Sequence, residues 1–268
     1  MRSVRLFVSV FVFVLAGAAF AQTQPQPPQL TWVRFFNVDF TRGNEWVAYQ
    51  KQSTAAVFNK LLTDGKIAGW GMGTPVVLAG QDYTYAIWVT MQNWSGADAV
   101  NDAFESAMTK MTPAEREKEM QMMGAVKSMP RDVIVRHLVQ ASTLPASTTP
   151  PKYVRLTYYT INPGRSDDAL SLFREVEPRY AELAKGGAIG AYGFSIQELV
   201  TDPSWTHMVW YFTNEMARFD DVRTAVMGMP AFRTLMLRLG DMSDTTKTRA
   251  EVLRVLELKF AAPRPPAK

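Results

Sequence analysis

Two histidines occur in this sequence of 268 residues, and His207 is the more distinctive of them. It lies in the segment WTHMVW at residues 205–210, whose aromatic and β-branched side chains predict a strand. An imidazole with an ordinary pKa of about 6.5 could act as a general base at neutral pH. A histidine in such a strand is more often a hydrogen-bonded structural residue. We therefore treat His207 as the catalytic candidate, with a structural role as the alternative, and His137 as a weaker candidate.

Four arginines form a second group of candidates: Arg34, Arg136, Arg155 and Arg254. Each lies in a predicted strand, where side chains two residues apart share a face. If these guanidinium groups lined a cavity, they could hold an acidic ligand through bidentate contacts. In the alternative interpretation they lie near strand ends, solvated or paired with carboxylates such as Asp132.

Aromatic side chains in the same predicted strands could line an apolar ligand pocket. The candidates are Tyr85, Trp88, Tyr159, Tyr192 and Trp210. Aromatic strand residues more often belong to the hydrophobic core, which is the alternative interpretation.

The composition excludes several kinds of site. The sequence has no cysteine, so thiol catalysis and zinc–thiolate sites are excluded, and two histidines cannot build a three-histidine zinc site. A thioether cluster for Cu(I) is a further interpretation, based on Met120, Met122 and Met123 with Met227 and Met229. Because these methionines lie in or beside predicted helices, core packing is the alternative, and we predict no metal and no other cofactor.

The excess of positive charge is confined to the termini. Four of the 29 basic residues, Arg2, Arg5, Arg264 and Lys268, lie in terminal segments that contain no acidic residue. Residues 22–259 therefore carry 25 basic and 25 acidic side chains. A neutral core lacks the basic surface that binds nucleic acid, so we predict no nucleic-acid partner.

The first 21 residues have the pattern of a secretory signal peptide. A basic start precedes an apolar run at 6–16 and an A-x-A cleavage box at 19–21. The run is shorter than the roughly 20 residues that span a bilayer, although an uncleaved anchor is the alternative. We predict an exported, periplasmic or extracellular protein with no membrane attachment after cleavage, and disordered segments at 22–30 and 260–268.

The middle of the sequence contains a duplication. The pentapeptide IAGWG at residues 67–71 recurs as IGAYG at residues 189–193, a spacing of 122 residues. Further matches keep the same order, including VIVR at 133–136 and EVLR at 251–254, a spacing of 118. A period this long indicates a duplicated domain rather than a solenoid repeat.

Each copy predicts the same order of elements, β-α-β-β-α-β. The predicted strands are 32–40, 67–79, 83–91 and 132–140 in the first copy and 153–161, 189–200, 205–213 and 250–259 in the second, with long helices at 44–63 and 166–185. Thr112 and Glu115 predict a capping box at the start of a further helix. The segment 141–151, rich in Pro, Ser and Thr, predicts a linker between halves at 31–140 and 152–259.

This duplicated order resembles the dimeric α/β-barrel superfamily of ferredoxin-like domains, which includes antibiotic-biosynthesis-type monooxygenases and NIPSNAP-like proteins. The resemblance covers nearly all of residues 31–259. It implies an α+β fold in which two tandem ferredoxin-like (βαββαβ) halves form antiparallel sheets that face each other as one α/β barrel. First and last strands are neighbours in this fold, so Arg34 is expected near Arg136, and Arg155 near Arg254. Each pentapeptide would start a second strand, where glycines let backbones approach or the strand bend.

The resemblance also leaves the function open. Heme-degrading members use an Asn, a Trp and a His, for which this chain offers Asn37, Trp70 and His207. Three functions are compatible with the sequence: a protein that binds a small anionic or aromatic ligand in the barrel cavity, a cofactor-independent monooxygenase-like enzyme that uses His207 and an aromatic pocket, and a stress-related structural protein with a filled barrel. Both a monomer and a homodimer are compatible with the duplication.

Overall fold

The computed structural model describes residues 29–78, 80–144, 150–199 and 202–260. The predicted signal peptide, the centre of the predicted linker and the predicted tail after Phe260 lie outside the described residues. The described strands are β1 (Leu30–Val38), β2 (Gly69–Pro75), β3 (Tyr85–Met91), β4 (Val126–Ser128), β5 (Asp132–Ser142), β6 (Tyr153–Tyr159), β7 (Ala191–Leu199), β8 (His207–Thr213) and β9 (Arg249–Phe260). The described α-helices are α1 (Gly43–Thr63), α2 (Trp94–Lys110), α3 (Pro113–Met123), α4 (Ser166–Lys185), α5 (Arg218–Met227) and α6 (Phe232–Met242).

Eight of these strands close into one antiparallel barrel. The order around the barrel is β1, β3, β2, β9, β6, β8, β7 and β5, and β5 pairs with β1 to complete the ring. The short strand β4 pairs with the end of β1. Closure gives each strand of the ring two hydrogen-bonded neighbours, so none presents an open edge. The predicted α+β class and barrel are confirmed.

The strands before and after residues 145–149 have the same internal order. The first set is β5–β1–β3–β2, and the second is β9–β6–β8–β7. The sets join through their outer strands, because β2 pairs with β9 and β5 pairs with β7. The two predicted sheets are therefore opposite walls of one continuous barrel.

The strand boundaries differ from the prediction by up to four residues, the largest difference being the end of β2 at Pro75, and two of the differences affect other predicted segments. The strand β1 begins at Leu30, which is 1% exposed, so the predicted disordered N-terminal segment ends before this residue. Burial of an apolar side chain of this size is favourable enough to order the chain locally. The strand β5 runs to Ser142 and so enters the predicted linker.

The helices follow the prediction more closely. The helix α1 begins one residue before the predicted start, and α4 has the predicted bounds. The capping box of α3 is confirmed, since Glu115 N donates to Oγ1 of Thr112 at 3.3 Å and Thr112 N donates to Oε2 of Glu115 at 2.7 Å. Among the described residues, no helix combines the length and the apolar character needed to cross a membrane.

Apolar side chains form one cluster inside the barrel and two outside it. The interior cluster contains only strand and loop residues: Phe35, Tyr83, Ala86, Val133, Val135, Val154, Tyr158, Ala191, Trp205, Met208, Phe212, Leu253 and Leu258. One outer cluster lies between the first set of strands and α1 and α2, and the other lies between the second set and α4 to α6. Because side chains alternate along a strand, these clusters identify which face of each strand is interior.

The repeated pentapeptides make room for two tryptophans inside the barrel. A Cβ atom on Gly71 would lie 2.4 Å from Cζ2 of Trp88, and one on Gly193 would lie 2.5 Å from Cζ2 of Trp210. Each tryptophan is the register partner of its glycine on the neighbouring strand. Carbon atoms in contact are normally about 3.5–4.0 Å apart, so a larger residue displaces the ring. At Gly193 a Cβ would also lie 2.7 Å from the backbone carbonyl oxygen of Val139, so both a tryptophan ring and a neighbouring strand require the glycine there.

Candidate functional site

His207, the predicted catalytic residue, lies on the outer face of the barrel. It is 3% exposed, and its ring stacks on Phe194 at 5.5 Å in the layer under α4. Its Nδ1 lies 2.8 Å from Oγ1 of Thr206, whereas its buried Nε2 has no hydrogen-bond partner among the described residues. Burial lowers the pKa of His207 to about 4, so the ring is neutral at pH 7. On β8 it is the next residue, Met208, that points into the barrel. The catalytic role stays a prediction.

The predicted arginines also lie on the outer face and are not gathered around one cavity. Arg34 pairs with Asp132 at 2.9 Å, and Arg136 pairs with Glu198. The register sets Arg34 opposite Asp132, four residues and about 13 Å along the strand from Arg136. Arg155 lies opposite Tyr211, and Arg254 is exposed. The pairing of Arg34 with Asp132 is the contact that the alternative interpretation described.

The predicted aromatic pocket is divided between the two faces. Trp88 and Trp210 point into the barrel, whereas Tyr85, Tyr159 and Tyr192 face the helices. Residues separated by an odd number along one strand point to opposite sides of the sheet, which separates Tyr85 from Trp88. The structure therefore does not assemble these five side chains into one pocket.

His137, the weaker candidate, lies inside the barrel within a chain of hydrogen bonds. Its Nε2 is 2.7 Å from Oγ1 of Thr31, and its Nδ1 is 2.7 Å from Oγ of Ser195. The chain continues from Thr31 to Oγ1 of Thr90 at 2.9 Å, and Trp210 Nε1 donates to Ser195 at 3.0 Å. Burial lowers the pKa of His137 to about 4. A neutral imidazole has one donor and one acceptor, so these neighbours satisfy it fully and give it a structural role.

The remaining candidate sets are dispersed. Trp70 donates to Asn59 at 3.0 Å in the outer layer of the first set of strands, while His207 lies in the outer layer of the second. On α3, Met122 is 1% exposed, whereas Met120 and Met123 are exposed, so their thioethers do not share a face. Within the described ranges, no group of three or more His, Cys, Asp or Glu could hold a metal ion.

A different group of polar side chains closes one end of the barrel. We call this end the mouth; there β1, β6 and β7 end, and β3, β5 and β9 begin. The mouth cluster comprises Tyr83, Arg131, Tyr158, Asp202, Arg249 and Glu251. The side chains of Arg131, Asp202 and Glu251 are only 11%, 10% and 4% exposed. Buried charges of this kind persist only where they are paired and hydrogen-bonded.

Asp202 joins the two arginines of the mouth cluster. Its Oδ2 lies 3.3 Å from Nη1 of Arg131 and 3.3 Å from Nη2 of Arg249. Arg131 also pairs with Asp82 at 2.9 Å. Burial would raise the pKa of Asp202, but hydrogen bonds from Ser204 and the charges of both arginines lower it overall. Asp202 is therefore an ionised anchor that holds both guanidinium groups at the mouth.

Aromatic rings support the two guanidinium groups. The guanidinium carbon of Arg131 lies 4.6 Å from the ring centre of Phe35 and 5.1 Å from that of Tyr83. The guanidinium carbon of Arg249 lies 5.0 Å from the ring centre of Tyr158. Cation–π contacts at these distances are favourable, more so where water is excluded, and they fix the planes of both guanidinium groups.

A buried carboxylate and a phenol lie below the arginines. The hydroxyl of Tyr83 donates to Oε2 of Glu251 at 2.6 Å. Burial raises the pKa values of Tyr83 and Tyr158 well above that of an ordinary phenol, and the charge of Glu251 adds to both shifts. Both phenols are therefore protonated donors at neutral pH.

No member of the mouth cluster was among the predicted site residues. A signal for two of them was present, because Arg131 and Arg249 are separated by the same 118 residues as VIVR and EVLR. Extending that match by two positions pairs the arginines across the duplication. Tyr83 and Asp202 lie in hairpin loops, whose approach to each other depends on barrel closure.

Comparisons with known proteins identify the fold of this chain but do not assign it to a family. The sequence matches no protein-family model, and no curated protein matches it. A protein of Fusobacterium nucleatum subsp. nucleatum that is proposed to be a monooxygenase superposes with a TM-score of 0.59 at 11% identity, over 90% of this chain and 98% of that chain. A proposed monooxygenase of Lactobacillus acidophilus gives 0.57 at 8% identity, over 88% and 97%. A heme-binding protein of Thermus thermophilus gives 0.53 at 12% identity, over 87% and 95%. The chain thus shares the closed barrel fold of monooxygenase-like and heme-binding proteins.

The described residues do not fit a heme. Both ring nitrogens of His137 are already hydrogen-bonded, so neither is free for iron. The Nε2 of His207 has no hydrogen-bond partner among the described residues, but it is buried, and its ring lies in a stack with Phe194 at 5.5 Å, which in turn stacks on Phe173 at 5.0 Å. A cleft between α4 and α6 measures about 110 Å³, below the roughly 300 Å³ of small ligand pockets. This cleft is therefore too small to hold a porphyrin.

Proposed function

We propose that this protein binds a small molecule at the mouth of its barrel. The observation that carries the proposal is the mouth cluster, in which buried ionisable side chains perturb one another's pKa values. Such groups are characteristic of functional sites, although structural ion-pair networks share the property. The barrel interior holds a cluster of packed apolar side chains and the hydrogen-bonded chain of His137, so the ligand is proposed at the mouth and not in the interior cavity that the sequence suggested.

The surface around the mouth supports this location. The segment after β2 exposes Val76, Val77 and Leu78, which are 39%, 66% and 44% exposed, and β7 ends at Leu199, which is 48% exposed. Apolar side chains beside a small group of converging polar atoms are the usual composition of a ligand site. The proposed ligand therefore has an apolar body and a polar end.

The test is native mass spectrometry of the full-length protein purified from its own source, followed by denaturation and identification of any released molecule. A retained organic molecule, lost when Tyr83 and Glu251 are replaced by Phe and Gln, supports the proposal. An empty protein whose double variant loses stability favours a structural role for this pair and the filled, structural barrel instead.

A second candidate is a cofactor-independent monooxygenase-like enzyme. The hydrogen-bonded pair of Tyr83 and Glu251 favours it, because a buried carboxylate beside a phenol can take and return a proton. With 1,5-dihydroxynaphthalene as the probe, oxygenation consumes one O₂ and releases one water per hydroxynaphthoquinone formed. Oxygen uptake that Glu251→Gln abolishes supports this enzyme, and uptake equal to that of a protein-free control opposes it.

We also propose that the two sets of strands are tandem ferredoxin-like halves of one member of the dimeric α/β-barrel superfamily. Their identical internal strand order supports this assignment. Export remains a proposal based on the leader pattern of residues 1–21, and N-terminal sequencing of the mature protein tests it. Sedimentation measurements distinguish the proposed monomer and homodimer.

A further inference from the structure

We propose that Arg131 and Arg249 form a clamp for the carboxylate of a small aromatic or aliphatic acid. The inference rests on the proposed function, since it names the chemical class of ligand that the mouth accepts. The two arginines occupy equivalent positions in the duplicated sequence, 118 residues apart, and each begins or directly precedes a closing strand of its set. Barrel closure therefore brings one guanidinium from each half to the same opening.

The mouth has more donors than acceptors. The two guanidinium groups carry ten N–H bonds, five each. Within the described part of the chain, their nitrogens make three hydrogen bonds with carboxylates, one to Asp82 and two to Asp202. The Nε atoms of both arginines are buried without a hydrogen-bond partner among the described residues. Buried donors are nearly always satisfied, so this pair indicates an acceptor oxygen that a ligand can bring.

The resident carboxylates leave these Nε atoms unsatisfied. Oε1 of Glu251 is 3.9 Å from Nε of Arg249, too far for a hydrogen bond, and Oε2 is engaged by Tyr83. Asp202 meets both arginines at 3.3 Å, longer than the usual 2.7–2.9 Å of a charge-assisted bond. Neither carboxylate therefore satisfies the clamp.

Charge and shape limit the class of ligand. Arg131 and Arg249 balance Asp202 and Glu251, while Asp82 is 54% exposed and screened by solvent. The site is thus close to neutral, so recognition depends on directed N–H bonds rather than on an excess of positive charge. A planar carboxylate matches a guanidinium in two parallel bonds, which a hydroxyl or an amine cannot reproduce. The side chain of Arg249 is 38% exposed, which opens the clamp to solvent.

The experiment uses the intact mature protein, with benzoate as the probe and benzyl alcohol and benzylamine as matched controls. Binding is followed by isothermal titration and ligand-observed NMR. We expect benzoate to bind at least about tenfold more tightly than either control. Equal affinity for the three compounds, or no binding of benzoate, overturns the clamp.

Variants test which arginines are responsible. Arg131→Lys and Arg249→Lys keep the positive charge but remove the planar guanidinium and its Nε–H donor. Each should therefore weaken benzoate binding about tenfold. Arg34→Lys is the matched control, because Arg34 also pairs with an aspartate and lies over an aromatic ring, 4.9 Å from that of Trp32, but on the outer face. The proposal is contradicted if Arg34→Lys weakens benzoate binding as much as the mouth variants do, or if neither mouth variant weakens it.

Asp202→Asn gives a test with the opposite sign. It removes the shared anion from Nη1 of Arg131 and Nη2 of Arg249, while Asp82 still accepts from Nη2 of Arg131. Benzoate should therefore bind more tightly and raise the melting temperature more than in the wild type. Loss of folding cannot produce this gain, and weaker binding of benzoate overturns the clamp. If native mass spectrometry finds a retained ligand without an acidic group while benzoate does not bind, the proposed function survives and the clamp fails.

Discussion

Replacing Gly193 or Gly71 by alanine tests how the barrel interior is filled. A Cβ on Gly193 would lie 2.5 and 2.7 Å from two ring carbons of Trp210 and 2.7 Å from the carbonyl oxygen of Val139. On Gly71 it would lie 2.4, 2.5 and 2.8 Å from three ring atoms of Trp88. Because carbon contacts are normally about 3.5–4.0 Å, each ring must move by about 1 Å.

The expected cost follows from these contacts. Overpacking a well-filled interior costs about 1–3 kcal/mol. In Gly193→Ala, displacement also weakens the bond from Trp210 Nε1 to Ser195, which is 3.0 Å long and worth about 1 kcal/mol. We therefore expect losses of about 2–4 kcal/mol for Gly193→Ala and about 1–3 kcal/mol for Gly71→Ala. At about 2–4 °C per kcal/mol for a chain of this size, the melting temperature of Gly193→Ala should fall by roughly 4–16 °C.

The assay is urea and thermal unfolding followed by circular dichroism, with Gly240→Ala as the matched control. Gly240 lies in the exposed part of α6, and nothing lies within 4 Å of a Cβ placed there. The same substitution should therefore stabilise the protein there by up to about 1 kcal/mol. Trp210→Phe removes ring atoms from the space, so Gly193→Ala should cost less in that background. Wild-type stability for Gly193→Ala, or an equal cost in both backgrounds, refutes this account of the interior.

Three further predictions concern buried polar groups and a helix start. The free energy of unfolding should fall as pH is lowered from about 6.5 to about 4, since His137 and His207 have pKa values of about 4 in the folded state and resist protonation that the unfolded chain accepts. Each histidine contributes up to about 3 kcal/mol to this loss of stability. His207→Phe should therefore roughly halve the difference in unfolding free energy between pH 7 and pH 4.5, measured by urea titration. An unchanged difference contradicts the low pKa of His207. Tyr83→Phe leaves Oε2 of Glu251 without its donor and should cost about 1–3 kcal/mol in the same titration, with a neutral effect as the contrary result. Thr112→Ala removes the capping box of α3 and should cost about 1 kcal/mol, with faster amide exchange confined to the first turn of that helix.

The methionines of α3 show that residue type alone does not predict which side chains of a helix are buried. Met120, Met122 and Met123 are close in sequence, and their type suggested either a thioether site or core packing. Only Met122 packs into the core, because the helix presents one side to the barrel and leaves Met120 and Met123 in solvent. The core-packing alternative therefore holds for one of the three residues.

Local sequence determined the elements of this protein and their duplication. Repeated segments, capping residues and alternating strands predicted the strands and the long helices, since each depends on neighbouring residues, whereas the barrel was expected only from the resemblance to the superfamily. Alternation also sorted the side chains of β1 onto two faces, but it fails at the bulges of β5 and β9, where Leu138 and Val139 share one face and Val255 and Leu258 share another. On β1, Val33 and Phe35 share one face, and Trp32, Arg34 and Phe36 share the other.

Tertiary structure alone decided which face became the interior. Both faces of β1 are apolar enough to be buried, so sequence could not tell the side covered by α1 from the side enclosed by the barrel. That choice put the weaker candidate, His137, inside the barrel and the stronger candidate, His207, outside it. It also assembled Arg131 and Arg249 around Asp202, because loops far apart in the chain meet only when the outer strands of the two sets pair and close the ring.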